Sequence, residues 1–366
     1  MNARDCDELA APPAADRVDA PRFRARTLDV GGIAAVELVD THGSARALFA
    51  RRGATLLDWQ VTDRDERIAL TDGYADAAEL AAQDGVRNGV LAPFPNRIAD
   101  GRYRFDGRGH DLLPGVAGTR HIYHGFLREL DLAVARIGDG DDGADVLFTG
   151  TIEPDAFPGY PFALALSVAA RLDAHGIGLV VTATNVGDVA APYAGGWHPY
   201  FRLGDAPLAT LELTVPASCT IDADEQLIPL PGDAAFAALN ARPTLDFRHP
   251  RPLGAQVLDR CYADARPDAD GVIRSRLRDP ATGRTLTVWQ RGGLIHVFTG
   301  DTLARDARRS IAIEPVEAMS DAFNRSEFAE LLRLPPGATR RFACGAEFRA
   351  EPAALPLPTP AAVATA

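Results

Sequence analysis

The sequence contains no lysine, so all 38 of its basic residues are arginine. Lysine is ordinarily among the commonest residues, and its absence excludes whole mechanisms. A Schiff-base aldolase, a pyridoxal-phosphate enzyme and a P-loop nucleotide hydrolase each need a lysine amine at a defined place. Cysteine is also scarce. Cys6, Cys219, Cys261 and Cys344 form no CxxC and no Cys/His pair with zinc spacing. Cys6 falls in the N-terminal tail, and the other three read as small buried hydrophobes of a reduced, cytoplasmic protein. No apolar run approaches the ~20 residues of a transmembrane helix. The opening MNARDCDELAAPPAADRVDAP carries acids and prolines where a secretory signal has its hydrophobic region. Positive charge is in deficit, with 50 Asp+Glu against 38 Arg and a formal net charge of −12. That balance argues against nucleic acid and against anionic membrane surfaces as partners. There is no G-x-S-x-G elbow, no GxGxxG opening a helix after a strand, no HExxH and no DxDxDG loop.

What is present is apolar and strand-like. Hydrophobic residues make up 46% of 366 positions, enough for a large core. Residues 1–21 and 351–366 are rich in Ala and Pro without periodicity and read as disordered ends. The stretch 22–350 between them has no low-complexity linker and no repeat, and reads as one domain. RYRF-DG-RGHDLL, around Asp106-Gly107, is a hairpin signal, because Asp-Gly supplies the positive φ angles of a type I′ turn. FALALSVAARL (162–172) and GLVVTATNV (178–186) flank a turn at 173–176. SRLRDPATGRTLTVWQ (275–290) is a second strand pair, LIHVFTG and SIAIEP continue the pattern, and LELTVPASCTID (211–222) fits one isolated strand. Helical signals are few: ADAAELAAQ (75–83), and SEFAELLRL (326–334) with Ser326 as its cap. The fold class expected is all-β, a large antiparallel sandwich.

The polar residues that could carry chemistry stand at strand ends, each with a plainer reading beside it. Asn96 and Arg97, in APFPNRIADG, could serve only a surface ion pair. His124, before Gly125, could be a turn residue. His198 lies in GGWHPYF and could be a core histidine satisfied by backbone. Its aromatic neighbours Trp197, Tyr200 and Phe201 suit either a sugar-stacking platform or support of the histidine. Asp259, in LDRCY, is weak alone. Glu314 is the sharpest. It ends an apolar strand run before Pro315, and a carboxylate there is costly to bury without partners or a raised pKa.

In combination these segments point one way. APFPNRIADGRYRFDG, HGF, GGWHPYF, LDRCY, IEPVEAMSDAFN and LPPGATRRFACGAEF resemble, in this order, the aldose 1-epimerases (galactose mutarotases), over roughly residues 28–349. The resemblance implies a single β-supersandwich and an enzyme that interconverts the α and β anomers of a free sugar. Such a reaction removes a proton from the C1 hydroxyl and delivers one to the ring oxygen, so that the ring opens and recloses, with no metal and no other cofactor. By the motif match Glu314 would be the base, His198 the acid and His124 its assistant near the ring oxygen. Arg97 and Asp259 would hold sugar hydroxyls and Asn96 would support the site. A histidine titrates near 6.5, and a carboxylate base works best with its pKa raised toward the operating pH.

Two positions depart from the family pattern. Where the family often has Gln two residues before a Tyr, this chain has His296 and Phe298, a changed hydrogen-bonding partner for the sugar. The segment after HGF also lacks a tryptophan common in galactose-active members. Three other functions compete. A hexose-6-phosphate epimerase of the same superfamily would need several arginines converging on a phosphate. A non-catalytic carbohydrate-binding protein would not keep the acid–base pair. A glycoside hydrolase would need two carboxylates flanking the bond. A monomer or a homodimer fits this sequence equally.

Overall fold

The computed structural model describes residues 20–118 and 120–351. The ends read as disordered lie outside these residues, apart from positions 20, 21 and 351. The rest is strand-dominated and antiparallel, as the alternation in the sequence implies.

Three large sheets build the molecule. A five-stranded meander runs in chain order through Phe23–Val30, Ile33–Asp40, Ala45–Ala50, Leu56–Asp63 and Glu66–Ala69. A nine-stranded sheet has at its centre Arg284–Gln290, Thr339–Ala350, Gly176–Asn185, Leu164–Leu172 and Ala144–Ile152. These strands alternate buried and half-buried positions over most of their length, the pattern of a sheet with one face on the core. The third sheet runs in the order Phe236–Ala238, Ala217–Ile221, Asp259–Ala265, Leu294–Phe298, Ile311–Val316, Gly196–Trp197 and Val90–Leu91, with Tyr200–Phe201 also pairing Ile311–Val316. Ile311–Val316 is buried at every position. One apolar cluster joins residues of all three sheets, among them Phe49, Phe148 and Ile313. That cluster covers the sheet faces that water would otherwise wet.

Local chemistry explains several joins. The hairpin Arg102–Phe105 with Arg108–Asp111 turns at Asp106 (φ 48°) and Gly107 (φ 77°), the paired positive angles of a type I′ turn. The expected helix over 75–83 is Ala77–Ala82, and its cap is Asp76, whose carboxylate accepts from the amides of Ala78 and Glu79.

Two expectations are corrected. The stretch 211–222 is two strands in different sheets, Glu212–Thr214 and Ala217–Ile221. Pro216 lies between them, and a residue with no amide hydrogen ends the ladder there. The chain uses that break to cross from the nine-stranded sheet to the third. The helix expected over 326–334 shrinks to Ala329–Leu332, preceded by a 3-10 turn at Ser326–Phe328 and followed by strand Arg333–Leu334. Ser326 does not cap it: Phe328 stands at the N-cap with no side-chain hydrogen bond. Pairing of Arg333 and Leu334 with Pro192 and Ala191 competes with further helical turns. Among the described residues no helix is long and apolar enough to cross a membrane.

Candidate active site

Six distant segments meet beside the third sheet, around a cavity of about 260 Å³. Its wall includes Asn96, Arg97, His124, His198, Asp259, His296 and Glu314. All seven residues singled out from the sequence therefore face one space. A cavity just below the roughly 300–1,000 Å³ of drug-sized pockets suits a single sugar ring.

Glu314 enters from the fully buried Ile311–Val316 strand. Its neighbour across the ladder is His296, on Leu294–Phe298. The next strand brings Cys261 opposite His296 and carries Asp259 two residues away, so that His296 Nε2 donates to Asp259 Oδ1 at 2.8 Å.

His198 follows Gly196–Trp197 and is held by its own backbone. Its amide donates to the Gly89 carbonyl at 2.9 Å, and its carbonyl accepts from the Asn88 amide at 3.0 Å. Gly196 is needed because a Cβ there would lie 2.9 Å from Val316 Cγ1 and 3.1 Å from the Pro315 carbonyl. The Tyr200 ring stacks on the imidazole at 5.0 Å, and the Tyr200 hydroxyl donates to the Gly85 carbonyl. Trp197 and Phe201 are wholly buried and do not line the cavity. Of the two roles weighed for these aromatics, support of the histidine is the one this packing fits.

His124 lies on a backbone zipped to the Asn96 loop. Its amide donates to the Asn96 carbonyl at 2.8 Å, and the Asn96 amide donates to His124 Nδ1 at 3.2 Å. The second bond makes Nδ1 an acceptor, so in the neutral ring the proton sits on Nε2. Both residues take left-handed angles (His124 φ 67°, Asn96 φ 53°), a strain that clusters at functional sites. Gly125 follows because a Cβ there would lie 2.2 Å from the Ala92 carbonyl oxygen. The Asn96 side-chain oxygen accepts from the Arg97 amide and from Arg97 Nη1, each at 2.9 Å, which aims the guanidinium at the cavity rim. Arg97 Nη2 stands 3.9 Å from Asp259 Oδ2.

His198 Nε2 is 3.3 Å from Glu314 Oε1, and both side chains are nearly closed to solvent. Glu314 Oε2 and His198 Nδ1 are buried with no hydrogen-bond partner, an unusual state for such groups. Burial pushes the Glu314 carboxyl up to about 8, against the pull of the His296 charge. Burial, together with His296, pushes His198 down to about 3. Burial and the neighbouring His198 hold His124 well below its ordinary value. His296 goes the other way: burial works against its charge, but Glu314 and the bond to Asp259 hold it well above the ordinary range. Asp259 is held below the usual carboxylate range by that bond in spite of its burial.

His124, His198 and Glu314 bring three donor atoms within 4.8 Å of one another. Ligands about 2.1 Å from a tetrahedral zinc stand roughly 3.4 Å apart, so this group would have to close up to grip one ion.

The sequence reading missed two kinds of residue. Asp84, Gly85, Thr302 and Leu303 also line the cavity. Two acids of IEPVEAMSD act as tethers between motifs. Glu317 accepts from the Gly195 amide at 2.6 Å, and Asp321 accepts from the Ala99 amide at 2.9 Å. The available signal was the spacing itself: Glu314, Glu317 and Asp321 put three acids into an otherwise apolar stretch.

The family model described as aldose 1-epimerase matches residues 36–346, and the chain belongs to that family. Among curated relatives, the uncharacterized protein YihR of Escherichia coli is 28% identical over 69% of this chain and 76% of its own. Human galactose mutarotase is 25% identical over 77% of this chain and 85% of its own. Among solved structures, the GalM/aldose epimerase homologue from C. elegans superposes with a TM-score of 0.74 at 19% identity, covering 85% of this chain and 97% of that one. The galactose mutarotase-like supersandwich implied by the motifs is therefore the fold of this chain.

Proposed function

We propose that this protein is an aldose 1-epimerase acting on a free aldose, with Glu314 and His198 as its proton-transfer pair. The observation that carries the reading is the 3.3 Å approach of two buried, oppositely shifted groups in a sugar-sized cavity. Pairs of titratable groups pushed apart by their surroundings mark acid and base roles. Between pH values of about 3 and about 8 the pair holds one proton. In the empty site burial leaves it on the carboxyl. Catalysis needs it on the imidazole, a transfer of one proton across the 3.3 Å contact.

With the proton on His198, the Glu314 carboxylate takes the hydrogen of the C1 hydroxyl while His198 gives its own to the ring oxygen. The C1–O5 bond breaks, the electrons of the C1 hydroxyl form the carbonyl, and the open chain carries an aldehyde at C1. Rotation about C1–C2 turns the other carbonyl face to the O5 hydroxyl. Closure returns both protons to their starting groups. His124, fixed with hydrogen on Nε2, is placed to donate near the ring oxygen. Arg97 and Asp259, each about a quarter exposed at the rim, are placed to take sugar hydroxyls, with Asn96 orienting the arginine. Such positioned proton transfers contribute typically 10²–10⁴-fold each.

The phosphorylated-sugar alternative is disfavoured by the charge of the wall. Arg97 is its one arginine, beside the carboxylates of Asp84 and Asp259, whereas phosphate recognition wants several arginines converging. A non-catalytic sugar binder has no use for an imidazole and a carboxyl buried 3.3 Å apart.

Polarimetry tests the reading. Purified protein is expected to speed the mutarotation of at least one of glucose, galactose, xylose and arabinose, and to leave glucose 6-phosphate at its spontaneous rate. Failure on every aldose would sink the enzyme reading, and a preference for the phosphate ester would move it to the alternative.

A further inference from the structure

Three consecutive strands of the third sheet lay a line of charge across the floor of the cavity. Asp259 and Cys261 stand on the first, His296 on the second and Glu314 on the third. His296 and Glu314 are directly opposed in the ladder, and His296 and Cys261 are opposed on the other side. Directly opposed residues of neighbouring strands present their side chains to the same face, about 5 Å apart. An imidazole is thus held between two carboxylates, bonded to one of them at 2.8 Å and laddered to the other.

We propose that His296 is a positioning residue: a resident cation, pinned by Asp259, that keeps the buried Glu314 carboxyl able to ionise. This rests on the reading of Glu314 as the catalytic base. It assigns Asp259 a second task besides taking sugar hydroxyls, namely holding the imidazolium in place.

The physical need is plain. A carboxylate buried without countercharge neutralises itself, and a permanently protonated Glu314 could accept nothing from a sugar. Arg97 is too far out to serve alone. It sits at the rim, a quarter exposed, with its guanidinium engaged by Asn96 and facing Asp259. His198 and His124, the other bases at the cavity, are both pushed toward neutrality by burial. Cys261 faces His296 directly across the ladder and brings no charge of its own to this floor. The groups facing His296 are therefore Asp259 and Cys261 from one strand, Glu314 from the other, and His198, His124 and Arg97 from the loops above. Of these, only Asp259 and Glu314 supply negative charge, and both favour the imidazolium.

The sign of the effect follows. A neighbouring cation favours the ionised carboxylate and lowers its pKa. Removing that cation raises the pH at which the Glu314–His198 pair gives up its last proton. His296→Gln keeps a side chain of similar reach and a hydrogen-bond donor for Asp259, but no charge. In the pH profile of kcat/KM, its alkaline limb is expected about one unit higher than in the wild type, with the rate at pH 7 reduced roughly tenfold. A merely structural role would lower the rate and leave the limb where it was.

A second measurement reads the charge without any turnover. Nitrogen-15 spectra of histidine-labelled wild-type protein are expected to show His296 doubly protonated at pH 8, where His124 and His198 are neutral. A neutral His296 at pH 7, or an unmoved alkaline limb in folded His296→Gln, overturns the proposal. Absence of mutarotation in the wild type would instead overturn the enzyme reading, while the spectra would still report the charge of His296.

Discussion

The nine-stranded sheet and the third sheet obey different rules. In the first, Leu164–Leu172 and Gly176–Asn185 alternate burial almost residue by residue over nine and ten positions. Their register is set by water on one side and core on the other, since a one-residue slip would turn every apolar side chain outward. In the third sheet the strands span two to seven residues, Ile311–Val316 has no exposed position, and ionisable side chains occupy its floor. Solvent gives such strands little guidance. Their register rests on specific partners instead: His296 with Asp259, Glu317 with the Gly195 amide, Asp321 with the Ala99 amide. The long sheet buries the Arg284 charge against Asp63 and Glu66 of the meander, and the short one spends stability to hold several ionisable groups around one cavity. The chemistry sits where the alternation ends.

Substitutions in the two sheets should therefore separate activity from stability. The largest effect is expected for Glu314→Gln, a loss of roughly 10³-fold or more in kcat with the circular dichroism spectrum unchanged. Polarimetry checks it, and a near wild-type rate would remove Glu314 from the base role. His198→Asn is expected next, at roughly 10²–10³-fold, with substrate binding retained in calorimetry.

The opposite behaviour is expected on the scaffold side. Phe148, fully buried and paired with Val168, should cost about 3–5 kcal/mol of stability as Phe148→Ala, seen as a lower Tm. Its kcat per folded molecule should stay as in the wild type. A fall in kcat there, or a collapse of the fold in Glu314→Gln, would break the comparison.

The pH profile sharpens it from the site's side. The active form carries one proton on the pair, so kcat/KM should fall as pH rises through about 8, where Glu314 loses it. It should fall again only in strong acid, as His198 gains a second near about 3. The smallest effect is expected at the edge of the molecule. Gly107→Ala keeps open space around the new methyl but places it at φ 77°. It should cost about 1 kcal/mol with no change in rate.

Much of the site was legible in the chain because its polar residues keep their sequence neighbours, although Glu314 lies inside its strand, which runs on through Pro315 to Val316, and not at the strand end its proline suggests. His198 between Trp197 and Pro199, and Glu314 before Pro315, are local signals. The tethers Glu317 and Asp321 were not legible as such, because their partners lie more than a hundred residues away. The sheet crossing at Pro216 was hidden for a related reason. An apolar run on each side of one proline does not say that the two halves pair with different strands.

By itself the sequence determined the class of fold, the long alternating strands, the Asp106–Gly107 turn and the set of residues able to move protons. These follow from side-chain periodicity and local backbone preference, which act over a few residues. Only the tertiary structure decided that a carboxyl at 314 and an imidazole at 198 stand 3.3 Å apart with opposite shifts, and that His296 lies between two acids. Burial and charge neighbourhood set those properties, and both depend on which distant strands lie side by side. Spacing along the chain carries no record of that.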